Sequence, residues 1–448
     1  MGYKASIYNY FFKAQDGTSL AFNATTSGLA KLAPDKAVIV EGILKDPNGY
    51  DYSTAEKKEI KEKLLQGRFL VDDKEDEIGR LKVNNRIGRF NTQSLGLTIA
   101  PTLSCNFKCR YCYETAKPGV MKPEVEKALV KMVKERMKHC RSLSVTWFGG
   151  EPLLALKSIG RMTARFKTIC NKLKAGYSAD IISNGYLWDR KTAMQLKRWG
   201  VKSVQITLDG PRDIHDQRRP LAGGQGSFDR ILDNITKTHD VIPIRVRVNT
   251  DKTNSSKVLE LLDEISSRGL RDKIKVYFAQ VENYTDACSN IIGSCYSSQE
   301  YSSLEVELYR KALAKGFPMG RYPIPIGGGY CGADHLSSFV VAPSGLLFKC
   351  WNEISGDENS SVGSVLKDKP AGGQQANLEN WLSWDPFEKN DCRNCDILPI
   401  CMGGCPYNAK RFNKNVSSGH CANWKYHLLD MLKLTYFGYA KVPADRTP

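Results

Sequence analysis

Three cysteines stand close together in Cys105-Asn-Phe-Lys-Cys109-Arg-Tyr-Cys112. Their C-x3-C-x2-C spacing, on a loop directly after a predicted strand, suits a 4Fe-4S cluster better than a zinc ion or separate buried thiols. Three ligands leave one iron open. An open iron can chelate the amino and carboxylate groups of a small molecule and pass one electron into it. A second set follows far downstream. Cys331 and Cys350 have Gly345 between them, then come Cys392-x2-Cys395-x5-Cys401-x3-Cys405, and Cys421 closes the series. Paired C-x2-C thiols also bind zinc, but a cluster-binding triplet in the same chain favours iron and sulfide. Cys140 and Cys170 are isolated in helical stretches, where a lone thiol is most simply a packing residue.

These groups need elements to position them. From Leu95 the sequence alternates strands with amphipathic helices. The strands are expected at Leu97–Ala100, Leu143–Phe148, Ala179–Ile182, Ser203–Leu208, Ile244–Val248 and Ile274–Phe278. Helices are expected between them at Lys122–His139, Ile159–Leu173, Arg190–Trp199, Phe228–His239 and Ser256–Ser267. Six such alternations imply an α/β fold with a parallel sheet, or a partial barrel if the sheet curls, and active groups then lie beyond the carboxyl ends of the strands. Residues 1 to 94 read differently, as short strands around the turn Gln15-Asp16-Gly17 followed by helices at Lys36–Leu44 and Thr54–Leu65. After Ala279 the chain is rich in Gly, Ser, Asn and Cys, which predicts a loop-dominated region held together by metal.

The triplet, the strand ends and the tail together resemble a radical S-adenosylmethionine enzyme with a SPASM-type C-terminal extension, over roughly residues 95 to 435. The resemblance implies a partial (β/α)6 barrel at 95–285, a cysteine-rich SPASM domain at 286–448, and an N-terminal winged-helix-like peptide-recognition domain at 1–94. It implies that Cys105, Cys109 and Cys112 carry the radical-generating cluster and that Tyr111 lies near the adenine of S-adenosylmethionine. Gly149-Gly150-Glu151-Pro152 matches the segment that receives the methionyl amino group, where glycines permit close approach and a carboxylate or carbonyl accepts from ammonium. Ser183-Asn184-Gly185 matches the ribose-contacting segment, and Arg247 and Asn249 can reach the cofactor carboxylate. In the tail, Cys392, Cys395, Cys401 and Cys421 would hold a distal auxiliary cluster. Cys331, Cys350 and Cys405 would contribute to a proximal one, making three 4Fe-4S clusters in all. The proximal fourth ligand is then Cys295, with Cys288 as the other unused thiol, or the site stays open for substrate.

A 5'-deoxyadenosyl radical that abstracts a hydrogen leaves a substrate radical, and closing a new bond from it requires one electron to depart. Auxiliary clusters can accept that electron. The resemblance is to ribosomal peptide maturases, whose substrate would be a precursor peptide with a leader, bound by strand addition at the N-terminal sheet, with a flavodoxin or ferredoxin as electron donor and a thioether or carbon–carbon crosslink as product. An anaerobic sulfatase maturase shares the cysteine pattern, but there an Asp base follows the second tail cysteine, whereas Trp351 follows Cys350 here. A non-catalytic iron–sulfur carrier would need neither GGEP nor Ser183-Asn184. The fourteen cysteines occur without an export signal, so disulfides are not expected. No run of about 18 apolar residues suggests a membrane span, and a cytoplasmic protein is expected. The formal charge of +17 is partly cancelled by cluster thiolates and does not by itself call for nucleic acid.

Overall fold

A computed structural model describes residues 2–318, 321–411 and 421–440. The N-terminal region begins with β1 (Tyr3–Ala5), which pairs antiparallel with β5 (Leu70–Asp72). Between them, β2 (Asn9–Lys13), β3 (Ser19–Asn23) and β4 (Gly28–Leu32) form an antiparallel sheet in that order. The expected turn at Gln15-Asp16-Gly17 joins β2 to β3, and Gly17 takes φ +81°, a left-handed conformation that suits glycine. Helices Pro34–Lys45 and Ala55–Gln66 match the expected ones. They bury Val40, Ile43, Ile60 and Leu64 against Ala21, Phe69 and Leu70, a small core of their own. A third helix, Glu77–Arg89, was not apparent from the sequence. Its polar mean composition hides it, although Asp76 caps it by accepting from the Gly79 amide at 2.9 Å.

All six expected strands form, as β6 (Ser94–Ile99), β9 (Ser142–Trp147), β10 (Gly176–Ser183), β11 (Val201–Thr207), β12 (Ile244–Thr250) and β13 (Lys275–Gln280). Each is parallel to its sequence neighbour in a continuous sheet. Between β6 and β9 a short antiparallel pair, β7 (Thr102–Leu103) and β8 (Lys117–Val120), brackets the cysteine loop. Alternate residues such as Leu95, Leu97 and Ile99 bury one sheet face under helices Pro123–Met137 and Leu156–Lys172. Parallel pairing forces each connection to return through a helix, so all the βα loops open on one edge of the sheet.

The region after Ala279 is not loop-dominated, contrary to expectation. β14 (Ser338–Val341) pairs parallel with β6, and β15 (Leu346–Phe348) and β16 (Gly363–Ser364) follow antiparallel, extending the sheet to nine strands. Phe339, Val341 and Leu347 supply the buried alternation, which the surrounding Gly, Ser and Cys residues obscured. Two 17-residue helices, Ser298–Ala314 and Trp424–Ala440, pack together. Buried Glu305 on the first accepts from His427 of the second at 2.8 Å and from Arg321 at 2.7 Å. Among the described residues no helix is long and apolar enough to cross a membrane.

Candidate active site and cysteine groups

The cysteine loop lies at the carboxyl edge of the parallel sheet, laced to the segment after β11. Lys108 and Arg110 donate their amides to Pro220 and Arg218 carbonyls at 2.9 and 3.1 Å, and the Ala222 amide donates to Asn106 at 2.8 Å. Cys105, Cys109 and Cys112 face one another closely enough that each thiolate would raise another's pKa. Burial is the larger influence, and it pushes the Cys105 and Cys112 thiols up to about 12. Burial raises Cys109 as well, opposed by the Arg219 guanidinium. Cys112 nonetheless presents accessible surface.

The other expected segments converge here. Gly149 and Gly150 are required by packing against the loop itself: a Cβ would meet the Thr102 and Ser104 carbonyl oxygens, each at 2.3 Å, and Gly149 takes φ +115°. At this turn they let backbone approach backbone closely. Glu151 is fully buried, and burial pushes its carboxyl up to about 7. Its oxygens accept from the Asn184 amide at 2.7 Å, the Ser183 hydroxyl at 2.9 Å and the Leu153 amide at 3.0 Å. The carboxylate therefore ties the end of β10 to the end of β9, its oxygens engaged by these three donors. Asn184 continues inward, donating to Asn106 at 2.8 Å.

Tyr111 sits at the centre of a polar network in which Asn249 is an expected member, whereas Asp209, Arg218 and Arg219 were not apparent from the sequence. Its hydroxyl donates to Asp209 and accepts from Arg219 at 2.6 Å and from Asn249 at 3.0 Å. Arg218 donates to both Asp251 oxygens at 2.9 Å and to Asp209 at 3.3 Å. The usable signal was the Asp209-Gly210-Pro211 turn immediately after a predicted strand, followed by Arg218-Arg219. Arg247 reaches Asn249 at 2.7 Å and lines a cavity of about 980 Å³ with Tyr277 and Tyr284.

The tail thiols form two further groups. Cys392 and Cys401, carried on the short helices Asn390–Arg393 and Leu398–Cys401, and Cys395 in the link between them meet Cys421. Cys331, Cys350 and Cys405 face one another around a separate cavity of about 360 Å³. Cys295 does not line that cavity but lines the adjoining one of about 980 Å³, which Cys405 and Glu282 also line. It closes the turn Asp286–Ser294 and packs beside buried Cys288, whose apolar neighbours Val281 and Ile291 hold this segment in place. Cys170 is buried and Cys140 donates to the Thr92 carbonyl at 3.1 Å, as expected of packing thiols.

Among the described residues no three Cys, His, Asp or Glu side chains converge as ligands of a single metal ion do. A four-iron cluster instead asks for thiols spaced around a volume, each reaching its own corner. The three groupings fit that demand in donor type and number, with the 331, 350 and 405 set one donor short.

The sequence pattern of the radical SAM superfamily matches residues 99–265. The chain is 30% identical over 340 residues to a cysteine-type anaerobic sulfatase-maturating enzyme of Clostridium perfringens, covering 69% of this chain and 88% of the relative. It is 21% identical over 441 residues to the radical SAM cyclopropyl synthase TigE of Paramaledivibacter caminithermalis, covering 89% of each. The fold is similar to Streptococcus suis SuiB, solved bound to the precursor peptide SuiA, with a TM-score of 0.52 and 15% identity over 94% of this chain and 98% of that one.

Proposed function

Because the chain belongs to the radical SAM superfamily, we propose that it is a peptide maturase that crosslinks a ribosomally made precursor. The observation that supports this most is the placement of a complete cysteine triplet at the strand-end edge, with two more cysteine groups on the same molecule. Cys105, Cys109 and Cys112 are the ligands of the radical-generating cluster. Bound there, a 4Fe-4S cluster supplies one electron to S-adenosylmethionine and so yields the 5'-deoxyadenosyl radical that abstracts a substrate hydrogen. Around it, Tyr111, Ser183, Asn184, Arg247 and Asn249 bind and orient the cofactor, while Glu151 holds the loops in place. The backbone at Gly149 and Gly150 offers the carbonyl groups for the methionyl ammonium.

Residues 95–285 form the radical domain and 286–448 a SPASM-type domain with two auxiliary clusters, the distal one on Cys392, Cys395, Cys401 and Cys421. These accept the electron released as a thioether or carbon–carbon bond closes. Residues 1–94 act as a winged-helix-like unit that receives the leader peptide of the precursor. A cytoplasmic flavodoxin or ferredoxin is the electron source. At the position where a sulfatase maturase carries its base, Trp351 stacks on Phe148 with ring centroids 5.7 Å apart, so that reading lacks its proton acceptor.

Anaerobically reconstituted protein should bind about twelve irons, four for each cluster. It should form 5'-deoxyadenosine without peptide, and a precursor encoded beside its gene should lose two hydrogen atoms per bond formed, as read by mass spectrometry. Stoichiometric zinc with little iron, or a peptide of unchanged mass despite cofactor cleavage, would overturn the proposal.

A further inference from the structure

The cavity enclosed by Cys331, Cys350 and Cys405 has a fourth wall, Glu282. This residue lies two positions beyond the end of β13, the last parallel strand. Its carboxylate is fixed by two other residues of the cavity wall, Asn408, whose side-chain amide donates to it at 2.8 Å, and the Tyr284 hydroxyl. The backbone amide of the same Asn408 donates toward the Cys405 sulfur. One residue thus sets both the carboxylate and the thiol at the cavity wall. Among the described residues lining this cavity, Glu282 is the only Asp, Glu or His, and Cys295 is not among them. Two cations stand near: Lys349, on the same wall, donates to the His335 and Ser338 carbonyls, and Arg247, the guanidinium that faces Glu282, donates to Asn249.

We propose that Glu282 is the fourth ligand of the proximal auxiliary cluster, its carboxylate oxygen holding the iron that the three thiolates leave open. The inference rests on the reading that this cavity houses a 4Fe-4S cluster. A carboxylate is a harder ligand than thiolate and holds iron less tightly, so this corner is the most exchangeable of the proximal set.

The test uses full-length chain carrying Cys105→Ala, Cys109→Ala and Cys112→Ala, reconstituted anaerobically, so that auxiliary clusters alone contribute. This parent should hold about eight irons, four for each cluster. Adding Glu282→Gln keeps the shape and an acceptor for Asn408. Iron should then fall toward about seven, because an unligated corner is readily lost from a four-iron cluster. A three-iron signal should appear by low-temperature electron paramagnetic resonance before any reductant is added. Glu282→Cys should restore about eight irons with an altered spectrum of the reduced cluster. If Glu282→Gln leaves both iron content and spectrum as in the parent, the ligand assignment is overturned while the auxiliary-cluster reading stands. A parent with far fewer than about eight irons would overturn the cluster reading, and the assignment with it. Should Glu282→Gln fail to fold, Glu282→Cys decides: an unaltered spectrum with full iron overturns the assignment, and an altered one supports it.

Discussion

At the scale of single residues, the thiols and their supports separate cleanly in role. Replacing Cys105, Cys109 or Cys112 by Ala should abolish 5'-deoxyadenosine formation while about two thirds of the iron remains, since two of three clusters are held elsewhere. Chromatography of the nucleoside and an iron assay check this, and retained cleavage would place the reactive cluster on other cysteines. Glu151 acts differently, because it holds rather than ligates. Glu151→Ala leaves the Ser183 hydroxyl and the Asn184 and Leu153 amides without their acceptor. Orphaning buried donors costs about 1–3 kcal/mol for each group left unpaired. Denaturant unfolding of the iron-free protein should register a loss of that order, and S-adenosylmethionine cleavage should slow because β9, β10 and the cysteine loop lose their common tie. An unfolding midpoint equal to wild type would show that Glu151 is not that tie.

At the scale of elements, helix Glu77–Arg89 presents two faces. One buries Asn85 and Arg89 toward the cysteine-rich region, and the other leaves Val83 and Ile87 56% and 65% exposed, one turn apart. Exposed branched aliphatics at i and i+4 make a short apolar stripe. Among the described residues the edge strand β4 of the three-stranded sheet also has no strand partner on its outer side, and an extended leader can add there. Val83→Glu combined with Ile87→Glu should weaken precursor binding about tenfold or more, roughly 1.4 kcal/mol, with peptide-independent cofactor cleavage unchanged. Fluorescence anisotropy with a labelled leader measures the first and nucleoside formation the second. Equal affinity for wild type and variant would remove this helix from the recognition surface.

At the scale of the molecule, the N-terminal unit is built onto the cysteine-rich region rather than merely linked to the sheet. Tyr8 and Tyr10 lie close enough to Cys395 for its thiolate to raise them, after burial, the larger influence. Asn85 donates to the Gly328 carbonyl at 2.7 Å, and Arg89 donates to the carbonyls of Asp334 and Leu382 at 3.1 and 2.9 Å. Arg89 also stands 3.7 Å from the buried Asp334 carboxylate, three residues from Cys331. Removing one partner of such a pair strands a buried charge, at a cost of about 3–5 kcal/mol. Arg89→Ala should therefore lower the anaerobic melting temperature and speed iron loss from the proximal group, followed by its visible absorbance. Unchanged iron retention would mean that the N-terminal unit is energetically independent of the cluster region.

The local pattern of the chain determined the six parallel strands, their helices and the cysteine groups, because periodicity and tight spacing are properties of neighbouring residues. Strand after helix, repeated, leaves few topologies, and three thiols within one loop meet wherever that loop goes. What the tertiary structure alone decided is whatever joins distant segments. Helix Glu77–Arg89 is held by Ile78 and Leu81 against the main core and by contacts near residues 328, 334 and 382, all with distant segments. β14 was hidden because its partner, β6, lies about 240 residues earlier. Asp209 and Arg219 meet Tyr111 only when the loops after β6 and β11 cross at one edge. Glu282 shows the same limit most sharply. Type and spacing can be counted only for thiols, so the sequence offers Cys295, then Cys288, or an open site as the fourth position. The carboxylate that reaches the cavity is placed by the last parallel strand and by Asn408, a residue 126 positions away, and no spacing rule couples two segments that only folding brings together.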